Sequence, residues 1–349
     1  MKPLSDGLLR RLRRVADLPD LSDSKYRLIR KLGSGGMGNV YLVEDTVLRR
    51  EVALKVINIP DPPPDLTARM LREARIIARL EHPGIVPLHD VGELPDGRVY
   101  YTMKRVQGSS LERYSKSIEP LSERLRIFQR ICQAVAFAHV RGVIHRDLKP
   151  ENVMVGGFGE VLVMDWGIAK LQEAPDEKAA GGEGVASDDF SSGPQTRSGT
   201  VLGTPAFMAP EQARGQVEAV DARSDVYALG AILFFLLCRK NPPLPEAEPA
   251  FTKQLAWDLA AARAEDRPLS RPLRAICTRA MAWDNSARYD TVTALIADIE
   301  AFLDGRAVSA YRENLLEIAR RFLFKYRFLA GLVLTYLIIR LLMIFFFRP

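Results

Sequence analysis

The sequence predicts an α+β protein of two lobes, β-rich and then α-rich, followed by one C-terminal transmembrane helix. Three observations carry that reading. Runs rich in β-branched and aromatic residues crowd the first hundred positions, helical spacing takes over after Gly108, and an apolar run of bilayer length fills 328–347. At 349 residues the chain has room for two lobes, and 47% hydrophobic with 26% charged residues is the balance of a globular protein. The expected divisions are a basic extension over 1–25, an N-terminal lobe over 26–103, a C-terminal lobe over 104–303, a basic juxtamembrane segment over 304–327 and the span over 328–347.

The net charge of +6 sits at the ends of the chain. Residues 1–25 hold six basic and four acidic side chains and residues 312–349 hold seven and two, which leaves 36 basic against 37 acidic between them. A core without a basic surplus speaks against a nucleic-acid partner. Basic flanks beside an apolar tail point to a membrane instead. Cys132, Cys238 and Cys277 are widely spaced, with no CxxC pair, and read as isolated thiols in a reducing compartment.

In chain order, Leu8, Leu9, Leu12 and Val15 recur helically among four arginines, too briefly for a signal-peptide core. A solvated or loosely docked helix is expected there, with a membrane-surface role the weaker alternative. Segments 26–32, 40–44, 51–57 and 99–103 read as strands. One helix interrupts them: Pro62, Pro63 and Pro64 forbid helix, Asp65 is the expected cap, and Met70, Ile76, Ile77 and Leu80 follow at near-helical spacing until Pro83.

Beyond Gly108, Ser122 is the expected cap of a helix in which Leu125, Phe128, Ile131, Cys132, Val135 and His139 repeat at three and four, ending at Gly142. The run 228–238 is almost wholly apolar but has 11 residues, so it reads as a core helix and not a span. Residues 172–200 mix Gly, Ser, Asp, Glu and Pro and are expected to form a mobile loop.

The run 328–347 is broken only by Thr335, Tyr336 and Arg340. Arg340 costs about 2.5–3.5 kcal/mol at a helix centre, while each of the 14 Leu, Ile, Val and Phe residues returns roughly 0.3–0.6 at best. The balance favours insertion, and the arginine lies near enough to one end to snorkel. Arg320, Arg321, Lys325 and Arg327 precede the run and only Arg348 follows, which predicts a single-pass protein whose preceding part is cytoplasmic. The alternative is an apolar tail helix docked on its own domain. Only Arg348 and Pro349 follow the span, so no sensor beyond the membrane is expected unless the chain is a fragment. A homodimer through the anchor is compatible with the sequence but has no GxxxG pattern to support it.

Chemistry concentrates in four motifs. Gly33-Ser34-Gly35-Gly36-Met37-Gly38-Asn39-Val40 follows one strand and runs into another, so it reads as a flap whose glycines let backbone approach phosphate oxygens, and not as a dinucleotide fingerprint, which needs a helix next. Val52-Ala53-Leu54-Lys55 places a lysine on the next strand, where its charge can hold α- and β-phosphates. Glu73 on the following helix is the candidate ion-pair partner, with a surface pair to Arg69 as the bland alternative.

His145-Arg146-Asp147-Leu148-Lys149-Pro150-Glu151-Asn152 sets polar groups at offsets no packing pattern explains. Asp147 can orient a substrate hydroxyl, Lys149 can neutralise a γ-phosphate and Asn152 can ligate Mg²⁺. Asp165-Trp166-Gly167 adds a second Mg²⁺ ligand in Asp165.

Together these motifs resemble a eukaryotic-type (Hanks-type) bacterial serine/threonine protein kinase, over residues 26 to about 303. Ala209-Pro210-Glu211, Asp225 within Ser224-Asp225-Val226 and Arg288 extend the resemblance, and Lys149 and Thr204 look like the serine/threonine type. The resemblance implies a bilobed protein-kinase fold and the cofactors ATP and Mg²⁺, with Leu32, Gly33, Ser34, Gly35, Gly36, Met37, Gly38 and Val40 over the nucleotide. It also implies that Met103 guards the back of the adenine pocket, that the Lys104 and Val106 backbone reads the adenine edge, and that Ala53, Val40 and Met154 sandwich the ring. Protein substrates follow as the expected partners. Arg146 beside Asp147 offers a partner for a phosphorylated residue, and Thr196, Ser198 and Thr200 are the candidate hydroxyls.

Two features depart from the family pattern. Trp166 stands where Phe is usual, and the segment 165–211, 47 residues long, is acidic and Gly-rich in its middle. The competing functional classes are a pseudokinase acting as scaffold or nucleotide sensor, which loss of Lys55, Asp147 or Asp165 would favour, and a small-molecule kinase. Thr204-Pro205 with Ala209-Pro210-Glu211 stands against the latter, resembling a peptide-docking segment.

Overall fold

A computed structural model of the chain describes residues 18–35, 38–57, 63–117, 120–166, 205–264, 267–319 and 327–346. The expected N-terminal helix, the loop 172–200 and the hydroxyls of Thr196, Ser198 and Thr200 lie outside these residues, as do Gly36, Met37, Gly167 and Thr204.

Five antiparallel strands form the first sheet: β1 (Tyr26–Gly35), β2 (Gly38–Asp45), β3 (Arg50–Ile57), β4 (Leu88–Glu93) and β5 (Val99–Lys104), in spatial order β1-β2-β3-β5-β4. Side chains alternate between its faces. Tyr41, Val43, Val52, Leu54 and Val56 pack with Tyr26 and Tyr100 on one face, and Leu21 joins them, so part of the expected basic extension belongs to the folded lobe. Ala53, Ile57, Tyr101 and Met103 face the main core on the other. Four of the five strands follow the expected runs. β4 was not expected, because Leu88–Glu93 is polar and only partly buried, and it forms by pairing with β5.

Helix α1 (Pro64–Ala78) buries Met70, Ala74 and Ile77 against this sheet. Its N-cap position is Pro63 with no side-chain cap, so Asp65 sits inside the first turn and does not cap it. Proline at the first helical position suffices, because its missing N–H would have been unpaired there in any case.

Gly108–Ser110 (β6), Val153–Gly156 (β7) and Val161–Val163 (β8) make a small second sheet beside the helical lobe. That lobe is built on α2 (Leu111–Tyr114), α3 (Leu121–Val140), α4 (Pro210–Ala213), α5 (Ala222–Cys238), α6 (Glu248–Ala261), α7 (Arg271–Ala280) and α8 (Val292–Leu303). α3 begins one residue before Ser122, with Pro120 at its N-cap and no side-chain cap. α5 is the hub: from Ser224 to Leu237 every side chain is buried, which fits its uninterrupted apolar sequence. Gly230 lets α7 approach closely, since a Cβ there would fall 2.7 Å from that of Ala280. The lobes meet where Val86 N–H donates to Val163 C=O at 3.1 Å and Val163 N–H to Gly84 C=O at 2.8 Å.

The final helix, α9 (Arg327–Phe346), coincides within one residue with the expected span. Among the described residues, however, no helix is long and apolar enough to cross a membrane, and the side chains at several α9 positions lie outside them.

The helical lobe is closed by a buried ion pair. Arg288 Nη1 and Nη2 donate to Glu211 Oε1 and Oε2 at 2.7 and 2.8 Å, and Ser224 Oγ donates to the same carboxylate. Burial would raise the Glu211 carboxyl, but the Arg288 fork outweighs it and holds the group below the usual range. Truncating one partner strands the other charge in the core. Arg288→Ala is thus expected to lower the unfolding free energy by about 3–5 kcal/mol, measured by urea denaturation. A change below 1 kcal/mol would refute the assignment.

Candidate active site

Chain connectivity brings the polar motif residues together. Asn152 precedes β7 and Asp165 follows β8, and these strands are antiparallel neighbours with Val153 opposite Val163, so the hairpin returns Asp165 to the side of Asn152. Met164 N–H donates to Asn152 C=O at 2.8 Å and closes the arrangement. In the preceding loop, Lys149 Nζ and Asn152 Nδ2 each donate to Asp147 Oδ2 at 2.9 Å, while Asn152 Nδ2 also reaches the Asp147 carbonyl at 2.7 Å.

That loop hangs on Asp225, near the N-terminus of α5 and 1% exposed. Its carboxylate accepts the backbone N–H groups of His145 at 2.7 Å and Arg146 at 2.9 Å, and meets His139 Nε2 at 2.8 Å. These bonds hold Arg146 at φ 65°, a left-handed conformation that a non-glycine residue adopts only when its surroundings enforce it. Asp165 also adopts a left-handed conformation, with φ 56°. Gln212 Nε2 donates to Arg146 C=O at 3.0 Å, which joins the Ala209-Pro210-Glu211 segment to the loop.

His145 is buried beneath the site and stacks on Trp166 with ring centroids 4.7 Å apart. Its Nδ1 accepts from Asp147 N–H and its Nε2 bonds to Met164 C=O, which assigns the neutral Nε2–H tautomer. Burial pulls this imidazole below its ordinary range, against the opposing pull of Asp225, Asp147 and Asp165. The Trp166 indole N–H is buried without a partner among the described residues.

Across the cleft, register sets the other residues. Ala53 faces Met103 and Lys55 faces Tyr101 on the same side of β3 and β5. Val40 stands opposite Lys55 on β2. Lys55 Nζ pairs with Asp165 Oδ1 at 2.7 Å. The expected partner was Glu73, whose side chain lies outside the described residues. Burial opposes the Lys55 charge, but Tyr101 and Asp165 outweigh it and hold the ammonium above its usual range.

Leu32, Gly33, Ser34 and Gly35 end β1, and Gly38 opens β2. Gly38 has φ 146°, and a Cβ there would meet Val56 O at 2.1 Å, so no other residue fits. Beyond Met103, Lys104 N–H is spent on Pro87 C=O, whereas the Val106 backbone has no protein partner among the described residues. Met154 lies in β7 opposite Ser110 and is partly buried.

The donor set fits a divalent cation shared with phosphate oxygens. The Asp165 carboxylate and the Asn152 amide oxygen are hard ligands, and among the described residues no group of three His, Cys, Asp or Glu gathers to cage a metal by protein alone. Tyr101 is the residue that motif reading missed. Its signal was its register with Lys55, which appears only once β3 and β5 pair.

The arrangement is that of a phosphotransferase, and comparison agrees: a protein kinase domain model matches residues 26–298, and the chain belongs to that family. It is 38% identical over 312 residues to serine/threonine-protein kinase PknD of Protochlamydia amoebophila, covering 83% of this chain and 31% of that protein. The PknD of Chlamydia muridarum is likewise 38% identical, over 83% of this chain and 33% of its own length. The chain thus spans about a third of these curated relatives. Among solved structures, the kinase domain of Mycobacterium tuberculosis PknI is similar at TM-score 0.57 and 26% identity, over 79% of this chain and 95% of that one.

The neutral His145 has a pH consequence. Its folded pKa lies below the unfolded value near 6.5, so its contribution to stability is complete above about pH 6.5 and falls as pH drops toward the depressed value. Thermal unfolding followed from pH 7.5 to 5.5 is expected to show a declining midpoint that flattens in His145→Gln. An identical slope in both proteins would contradict the tautomer assignment.

Proposed function

We propose that this chain is an ATP-dependent serine/threonine protein kinase, tethered to a membrane by its C-terminal helix and phosphorylating its own activation segment as well as protein substrates. The observation that carries the reading is the Asp147, Lys149 and Asn152 cluster, closed by bonds of 2.9 Å, with Asp165 on its own side of the cleft and paired to Lys55 across it. Mg²⁺-ATP would supply the γ-phosphoryl group and neutralise charge on it, with Asn152 and Asp165 holding the metal and the Gly33-to-Val40 flap, Ala53, Met103, Val106 and Met154 holding the nucleotide.

In this reading Asp147 accepts a hydrogen bond from the substrate hydroxyl and aims its oxygen, and takes up its proton as the oxygen bonds to the γ-phosphorus, the bond from that phosphorus to the β,γ-bridging oxygen breaks and ADP leaves. Lys149, beside the same carboxylate, places positive charge where negative charge develops in the transition state. Asn152 fixes the rotamer of Asp147 through its two amide bonds. Lys55 is free to turn from Asp165 toward phosphate oxygens once the carboxylate engages a cation. Arg146, reached by Gln212, supplies a guanidinium that a phosphorylated Thr196, Ser198 or Thr200 can bind.

Support for the anchor comes from the apolar run and its basic flank. It comes also from Thr335, whose hydroxyl donates to Gly331 C=O at 2.9 Å and so carries its own partner into an apolar medium. The PknD relatives are named serine/threonine-protein kinases, and Lys149 and Thr204 agree with that type.

Incubated with Mg²⁺ and radiolabelled ATP, the protein is expected to label on Ser or Thr, and Asp147→Asn to lose about 10²–10⁴-fold in transfer rate while still binding ATP by thermal shift. Absence of label in the wild type despite bound ATP would favour the scaffold. For the anchor, the full chain is expected in a carbonate-resistant membrane fraction, and deletion of residues 320–349 to release it. Release of the full chain by carbonate would refute the span.

A further inference from the structure

Tyr101 sits where no kinase motif places a functional group, and its hydroxyl is nonetheless part of the site. β3 and β5 pair with Lys55 directly opposite Tyr101, so the two side chains leave the sheet together on the face that lines the cleft. The Tyr101 residue is 4% exposed and lines a small cavity together with Ile77, Val86, Met103, Met164, Asp165 and Trp166. A buried phenol must find a polar partner. This one donates to Asp165 Oδ1 at 3.3 Å, the same oxygen that Lys55 Nζ meets at 2.7 Å. Asp165 Oδ2 takes no partner among the described residues. A phenol carries its proton at neutral pH, so it acts as the donor to this carboxylate.

We infer that Tyr101 is a positioning residue for the divalent cation: it pins Asp165 Oδ1 so that Oδ2 is presented to the metal. The inference rests on the kinase reading above and deepens it. The logic is one of preorganisation. Asp165 follows β8 in a left-handed backbone conformation, and its carboxylate would otherwise rotate freely once Lys55 leaves it for phosphate oxygens. The phenol sits on the rigid central part of the sheet and does not leave with the lysine, so one donor on Oδ1 persists through that exchange. A phenylalanine would fill the same space and retain the packing, but would give Oδ1 nothing to hold.

The test is Tyr101→Phe in the full chain, read by binding and not by turnover. ADP affinity is measured calorimetrically without metal, and Mg²⁺ is then titrated into the ADP-saturated protein. The variant is expected to bind metal-free ADP within twofold of the wild type and to need about three- to tenfold more Mg²⁺ for half-saturation, the scale of one lost hydrogen bond of ordinary strength, in keeping with the 3.3 Å contact. A residue that merely packs would leave the Mg²⁺ titration unmoved. Coincident Mg²⁺ curves, or tighter Mg²⁺ binding in the variant, would overturn the role of Tyr101 and leave the kinase reading standing. Failure of the wild type to bind ADP, with or without Mg²⁺, would overturn both.

Discussion

The Asp225 carboxylate is the constraint on which the rest depends. It takes two consecutive backbone N–H groups, those of His145 and Arg146, and an imidazole nitrogen from α3, so helix α5, helix α3 and the loop that carries Asp147 are tied at one point. Backbone amides in a buried loop need acceptors, and a carboxylate at the N-terminal end of a helix is a stable one to provide. Because those bonds hold Arg146 in a left-handed conformation, the chain turns sharply there and delivers Asp147 to the cleft. The same turn lets Asp147 N–H reach His145 Nδ1, which sets the imidazole tautomer from above while Met164 sets it from below.

From that point the chemistry is arranged by two hairpin-like pairings. In the helical lobe, β7 and β8 bring Asn152 and Asp165 side by side. In the sheet lobe, β3 and β5 set Lys55 beside Tyr101 and Ala53 beside Met103. The Lys55 and Asp165 ion pair then joins the two lobes across the cleft. An ammonium in contact with a carboxylate is a closed circuit: neither charge is offered to an external ligand until the pair opens. In the proposed reading, nucleotide phosphate and a divalent cation would replace each half of it at once.

Trp166 modifies this design. A larger ring than the family's usual Phe packs on His145, and its indole N–H remains buried without an acceptor among the described residues. The ring thus adds apolar contact beneath the site.

Much was legible in the sequence alone. The glycine flap, Lys55, the Asp147 loop and Asp165 each appear as residue types that packing does not explain, at characteristic spacings, whereas Glu211 and Arg288 stood out only through the family resemblance. Four strands of the first sheet and the helices α1, α3 and α5 followed from sequence patterning, with helix starts misplaced at Asp65 and Ser122 because proline stands at the first helical position of α1 and at the N-cap of α3, and neither helix uses a side-chain cap. What the sequence determined by itself is therefore the inventory of reactive groups and their order along the chain. Only the tertiary structure decided which groups touch. That Lys55 meets Asp165, that β4 is a strand at all, and that Tyr101 belongs to the site depend on strand register and lobe packing. Those are contacts between residues far apart in sequence, and no local pattern encodes them.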